Sequence, residues 1–447
     1  MRAWVLIVAV SAAVVLSGCG EPLEPAPTAH AFIRAGDRQI GATNQPLPIL
    51  LEIAVRDQRG RPVAGAPVRW GSDANGRVEP IDPNTDRAGN ASARWVLGAT
   101  TGPAEAYAVA AGDSIAFHAE ARVLEEAKPP LGVIAPLGFA TFDGSGEVVH
   151  PDFALVPERS AGRLLALTPY PNGNAAYELP SLFESAIGVT WRVPAGVVNP
   201  LVPAPAFGHL SDPDLVRRPD VGDLWLYYRA VIGDNTVLLT RSSDGVSWSA
   251  PRAVVRAPNH ELLSPSVVYR GPGDWLMWSV NGEAAGCSAS RSWLELRRSV
   301  DGEAWGAPVR LRLEHDGLTP WHVDVQWIPD RSEYWALYNA KQPGSCTTPA
   351  LFLATSPNGT DWTPIRRPVL VKGALPIFEH IVYRSTFHHE PGSSDVWLWY
   401  SGARFATGRW VWRGAVERRL VGDLLAPASD LRTLRFVPPP SELIDWP

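Results

Sequence analysis

Five short segments of the chain set polar groups, several of them carboxylates, in otherwise apolar surroundings: His150-Pro151-Asp152, Ser211-Asp212-Pro213-Asp214, Leu263-Ser264-Pro265-Ser266, Trp321-His322-Val323-Asp324 and Phe378-Glu379-His380. Each is followed by an aromatic run, and these runs end in Tyr170, Tyr228-Arg229, Trp278 with Asn281, Tyr338-Asn339 and Tyr400-Ser401. Carboxylates beside flat rings suit a sugar site, where acids move protons and rings stack on pyranose faces. Glycosidic hydrolysis needs two carboxyls about 5 to 5.5 Å apart for retention, or about 6.5 to 9.5 Å for inversion. Asp212 and Asp214 stand at i and i+2, which on a regular strand places them on one face roughly 7 Å apart. Asp152, Asp324, Glu178 and Glu379 can face them, with Glu261 just outside the third segment and Glu283 beyond the second strand that follows it. The substrate-binding set on this reading is His150, Tyr170, Asp214, Tyr228, Arg229, Ser264, Trp278, Asn281, Trp321, His322, Tyr338, Glu379, His380 and Tyr400. Histidines 150, 322 and 380 have no fixed spacing, so no metal or cofactor is assigned, although such a centre leaves room for a structural cation.

The elements that must position these residues repeat. Ser185, Ser242, Ser299 and Ser356 open the heptads SAIGVTW, SSDGVSW, SVDGEAW and SPNGTDW, spaced 57 residues apart (242−185, 299−242, 356−299). One turn motif and several short aromatic strands per repeat predict a β-propeller, one blade per repeat. Second strands are expected at 163–170, 224–229, 275–280, 334–339 and 396–401, which makes five blades. The fifth lacks a heptad near Arg413, so a strand from the other end of the chain should close the ring. All inner strands then start on one rim of a central shaft, where the five segments converge.

The heptads resemble the Asp-box of sialidases and related propellers. Their Gly permits a left-handed turn, Ser and Asp bond its backbone, and Trp packs between strands. Ile187 and Asn358 stand where blades two and three have Asp, a drift that a folding turn tolerates. The heptads join third to fourth strands, on the face opposite the rim.

Upstream, Arg2, the apolar run Val5 to Leu16 and Leu16-Ser17-Gly18-Cys19 read as a targeting segment too short to span a bilayer. L-S-G-C resembles the lipobox of bacterial lipoproteins, which implies a signal peptide over 1–19 and lipidation of Cys19. Gly20 rather than Asp after it implies the outer membrane, at the cell surface or facing the periplasm. A Pro-rich tether follows at 20–29. Short β-rich runs with apolar alternation over 30–123 predict a seven-strand β-sandwich. Its strings V-x-D-x-x-G-x-P-V-x-G-x-P-V-x-W (Val55 to Trp70) and T-D-x-x-G-x-A-x-x-x-W (Thr85 to Trp95) resemble invasin/intimin-type bacterial immunoglobulin-like domains, which serve as stalks. Residues 124–136 read as a linker and 137–447 as the propeller, so the fold class is all-β: sandwich, then five-bladed propeller. Cys287 and Cys346 lie 12 and 10 residues before heptad serines (299−287, 356−346), in equivalent loops of adjacent blades, and are expected to pair.

The propeller resembles the arabinanase/β-xylosidase, invertase/levansucrase and β-mannoside phosphorylase families. That likeness implies Asp152 as base or nucleophile and Asp212 as the orienting acid. The general-acid Glu of the third blade is missing, which leaves Asp324, Glu178 or Glu261 for that role. The expectation is a lipid-anchored, monomeric glycoside hydrolase, or a glycan-binding adhesion protein that has lost the acid. A net charge of −6 with scattered Lys and Arg gives no basic stripe for nucleic acid. No phosphate loop, H-E-x-x-H or nucleophile elbow is present.

Overall fold

The computed structural model describes residues 29–426, apart from 48, 124–127, 160 and 407. The Cys19 and tether expectations lie outside the described residues. Among them no helix is long and apolar enough to cross a membrane.

Residues 29–122 form two four-stranded sheets. One runs Ala29–Ala35, Leu51–Asp57, Asn90–Leu97, Gly76–Pro80; the other Gln39–Ala42, Asp113–Arg122, Gly102–Ala110, Arg69–Ser72. Period-2 patterning turns Leu51, Ile53, Val55 and Trp95 inward against Phe117 and an alanine row from Ala104 to Ala110. The sandwich has eight strands rather than seven. The extra one, Gln39–Ala42, pairs parallel to Asp113–Arg122 and is too short to show an alternation of its own.

Five sheets follow in the order of the repeats. Their inner strands are Val148–Leu155, His209–Arg218, Leu263–Gly271, Thr319–Ile328 and, in two pieces, Ile381–Val382 with Thr386–His389. All five expected aromatic runs lie in or at the edge of the observed second strands. The ring closes through Ala135–Leu137, which adds to blade five by pairing with Gly414–Val416. This strand is taken from the end of the segment read as a linker. Cys287 and Cys346 form a disulfide between the loops of blades three and four.

Each heptad serine ends a third strand, and its Oγ accepts the N–H of the heptad glycine, at 2.7 Å in blade two. The heptad also joins blades. The carbonyls of Gly188, Gly302 and Gly359 accept bonds from Trp399, Tyr227 and Trp278, each on the second strand of the preceding blade. This is why Trp278 is buried between blades and does not reach the shaft. Tyr228, Tyr338 and Tyr400 are likewise core residues: Tyr228 packs among aliphatics, Tyr338 bonds His315 and Tyr400 bonds Glu417. Asn281 bonds Glu295 within its own blade. These second-strand residues therefore build the blades, because a second strand is flanked by sheet neighbours and faces adjacent blades; of the second-strand ends, Arg229 and Tyr170 reach the shaft mouth.

Candidate functional site

Every inner strand of blades one to four breaks register near the same level, between Val149 and Asp152, Ser211 and Asp214, Leu263 and Ser266 and, one residue earlier, between Pro320 and Val323. A bulge inserts an extra residue and re-aims side chains. His150, Asp212 and Ser264 sit in it with φ of 55°, 50° and 51°, each followed by a proline. Left-handed backbone at a non-glycine residue costs on the order of 1 kcal/mol and persists where the surroundings over-determine it. Proline fits because a bulge leaves an N–H without a ladder partner.

The bulges sort the shaft into two tiers. The lower tier is Asp152, Asp214, Ser266, Asp324 and Thr386, one from each blade, and it is a closed ring of bonds. Each side chain accepts the backbone N–H of the next inner strand: Leu215 to Asp152 at 2.7 Å, Val267 to Asp214 at 2.9 Å, Val325 to Ser266 at 2.9 Å, Phe387 to Asp324, and Phe153 to Thr386 at 3.3 Å. Arg384 lies fully buried among the three carboxylates, its Nη2 3.4 Å from Asp152 and 3.8 Å from Asp214. Burial pushes all three acids up, and Asp214 reaches about 8. Asp152 and Asp324, expected as base and acid, thus have their carboxylates engaged in holding blades together. Asp212 and Asp214 do not share a face, because the bulge between them breaks the alternation.

The upper tier holds His150, Asp212, Ser264 and His322. Ser264 Oγ bonds the backbone of Val323 in the next blade. His150, Asp212 and His322 each offer one donor atom within 4.8 Å of the other two, and all three residues are buried. Asp212 Oδ1 is 3.5 Å from His150 Nε2 and 3.4 Å from His322 Nδ1, yet none of these three atoms has a hydrogen-bond partner. Three buried polar atoms that converge without bonding one another fit a shared cation. Two imidazoles and one carboxylate with open positions suit Zn²⁺, Mn²⁺ or Fe²⁺. From sequence no metal is assigned, since His150, His322 and His380 show no fixed spacing; Asp212 comes from another blade, at an offset of 62 from His150 and 110 from His322 (212−150, 322−212).

The surroundings tune this set. Arg229 Nε lies 2.8 Å from Asp212 Oδ2 and 3.0 Å from Ser211 Oγ. Burial raises the Asp212 carboxyl, but His150, Arg229 and His322 outweigh it and hold it well below the usual carboxylate range. Burial pushes both histidines down, which keeps them in the neutral form that binds metal. Glu178, in the loop after the second strand of blade one, is buried with Oε2 3.5 Å from His150 Nδ1. Burial and then Asp212 raise its carboxyl well above the ordinary range.

The rim of this centre is aromatic. The Tyr383 ring stands 4.5 Å from His322 and 5.2 Å from His150, and packs 5.3 Å from Trp412, which meets Tyr170 edge-on at 4.9 Å. Trp321 packs beside His322. Sequence reasoning missed Tyr383 and Arg384. It placed the start of blade five at Glu379 and His380, whereas the bond ring makes Thr386 the counterpart of Asp152 and so Arg384 that of His150. No X-Pro-Asp marks that strand. Glu379 and His380 are exposed or half-buried and pair loosely with each other at 3.8 Å. Glu261 is half-buried, and its carboxylate makes no described bond to the cluster. His209, three residues before Asp212, was also overlooked; it is half-buried, and burial lowers its pKa to about 4.

No family model matches the chain. A curated relative, the A type blood N-acetyl-α-D-galactosamine deacetylase of Flavonifractor plautii, is 30% identical over 307 residues, covering 57% of this chain. This chain spans 40% of the length of that relative. A solved N-acetylgalactosamine deacetylase from F. plautii, in complex with blood group B trisaccharide, superposes with a TM-score of 0.61 at 24% identity, over 67% of this chain and 96% of that one. The two share one fold. An α-L-arabinanase of Penicillium chrysogenum matches at a TM-score of 0.44 and 13% identity, over 66% of this chain and 98% of its own.

Proposed function

We propose that the protein is a metal-dependent hydrolase of carbohydrate, which removes the acetyl group of an N-acetylated amino sugar. The observation that carries this reading is the convergence of His150, Asp212 and His322 with unpartnered donor atoms, beside the buried Glu178. The deacetylase likeness supports the choice of bond. A divalent cation held by the three would polarise an amide carbonyl and acidify water.

The chain's own residues supply the rest. Glu178, its carboxyl raised by burial and by Asp212, would accept a proton from the attacking water and return it to the departing nitrogen as the C–N bond breaks, leaving acetate and a free amine. Arg229 keeps Asp212 ionised and oriented. The Tyr383 hydroxyl makes no bond to another described residue and is placed to donate to the carbonyl oxygen as charge develops there. Tyr170, Trp412 and Trp321 wall the mouth for a sugar ring.

Glycosidic hydrolysis, expected from the sequence, finds less support. It needs two free carboxyls, and at the upper tier the described acids are Asp212, paired with Arg229, and Glu178 beside it. The experiment is product analysis on N-acetylhexosamine glycans with added Zn²⁺ or Mn²⁺. Acetate release lost in His322→Ala and on chelation is the expected result, whereas reducing sugar without acetate would restore the glycosidase. Anchoring through Cys19, with residues 30–123 as an immunoglobulin-like stalk, belongs to the same proposal. Labelling with palmitate, lost in Cys19→Ala, tests the anchor.

A further inference from the structure

A cleft of about 510 Å³ lies between the sandwich and the propeller. Six arginines line it, Arg34 and Arg94 from the sandwich and Arg192, Arg404, Arg409 and Arg413 from the propeller, against the single carboxylate of Glu52. The excess stands out in a chain whose net charge is −6. Some of it is matched: Arg409 pairs with buried Glu147, Arg192 with Glu184 at 3.0 Å, and Arg34 loosely with Glu52 at 3.8 Å. Among the described residues no carboxylate pairs with Arg94 or Arg413. The Arg413 guanidinium is desolvated, and its hydrogen bond goes to the carbonyl of Trp412. A cation withdrawn from water is costly unless an anion meets it.

Guanidinium forks match carboxylate, sulfate and phosphate groups in two-point fashion. The carrier of such a group is suggested by the strand Arg409–Leu420. Its alternation turns Arg409, Val411 and Arg413 into the cleft, and Trp410 and Trp412 toward the rings around the shaft mouth. The cleft and the shaft mouth are thus the two faces of one strand. Leu47, Leu50, Phe139 and Ile377 give the cleft apolar walls against which a sugar ring can pack.

We propose that this cleft is a second ligand site, taking an acidic saccharide through its carboxylate, sulfate or phosphate. The saccharide rests on the reading of the shaft given above; the oxyanion does not.

The test is calorimetric titration of the full chain, in low and high salt, with a glucuronate-containing disaccharide, a sulfated disaccharide, a sugar phosphate, a neutral disaccharide and inorganic phosphate. The acidic sugars should bind and the neutral one should not, with affinity that weakens in salt and drops tenfold or more in Arg94→Gln and in Arg413→Gln. His322→Ala should leave that affinity unchanged, which separates this site from the shaft. Absence of acidic-sugar binding, or binding indifferent to both arginine substitutions, overturns the proposal. So does its loss in His322→Ala, which would place the ligand in the shaft. Inorganic phosphate binding as tightly as the sugar phosphate removes the saccharide. Arg94 lies on a sandwich strand, so that variant stays informative if Arg413→Gln fails to fold. Acetate release from a neutral substrate should be unchanged in Arg94→Gln, which keeps this test independent of the shaft reaction.

Discussion

Glu178 and Asp214 are both buried acids with raised pKa values, and position in the shaft separates their roles. Glu178 faces the His150, Asp212 and His322 set, so on the proposed hydrolase reading Glu178→Gln should leave bound metal at one equivalent and lower kcat by about 10² to 10⁴-fold. Metal content and turnover of the purified variant check this. A base must be unprotonated, so the wild-type rate should rise with pH through a value well above that of an ordinary carboxylate. Metal affinity should survive somewhat below the usual histidine pKa, and fail as pH falls through the depressed values of His150 and His322. Asp214 belongs to the lower ring and bears on stability. Its carboxyl titrates near 3.9 when unfolded and at about 8 when folded, so between those values the unfolded chain binds fewer protons. Stability from this group is therefore full below about pH 4 and declines as pH rises toward 8. Thermal melts from pH 5 to 9 should show that slope, and Asp214→Asn should reduce it, with Asp152 and Asp324 leaving a remainder of the same sign.

At the scale of strands, the inner strands do two jobs by means of one bulge. Three residues take left-handed backbone so that the upper side chain points at the axis, while the lower one, two residues on, reaches the next blade. The heptad turns do a purely structural job on the opposite face. Gly359 shows the constraint: at φ 76°, an added Cβ would lie 2.7 Å from the Trp278 ring whose indole bonds the same glycine. Gly359→Ala should cost more than about 1 kcal/mol in backbone alone, with the clash added. Denaturant unfolding should register the loss, with little change in KM for the proposed acetate release by the protein that remains folded. The heptads were legible in sequence because a turn that needs Gly at positive φ, flanked by Ser and Trp, recurs with a fixed spacing. The two-tier shaft was not, since His150 and Asp152 are near neighbours whose divergence arises only from the bulge.

At the scale of the molecule, the propeller is closed by two devices at different places on the ring. Ala135–Leu137 completes blade five, and Leu137 is buried against Phe139 and Val148. A chain beginning after residue 138 would leave the edge of Arg409–Leu420 unpaired, and should unfold at lower temperature and aggregate, as light scattering during a melt would show. The disulfide joins residues 59 apart, and chain entropy alone assigns such a loop about 4 kcal/mol. Replacing both cysteines by serine should lower Tm under oxidising conditions and make the melt insensitive to reductant.

The sequence by itself determined the number of blades, the location of their second strands, the disulfide partners and the rim on which polar groups gather. These follow from local rules: turn chemistry, period-2 patterning and loops equivalent by spacing. Only the tertiary structure decided which of those polar groups meet. Asp152, Asp214 and Asp324 carry the residue type of a hydrolytic acid, yet the ring of backbone bonds engages them. His150, Asp212 and His322 are scattered across 173 residues (322−150+1) and became a site because three blades bring them to one axis. Arg384 entered the shaft without any motif. Chemistry there depends on convergence through space, and a pattern along the chain records only the strands that make convergence happen.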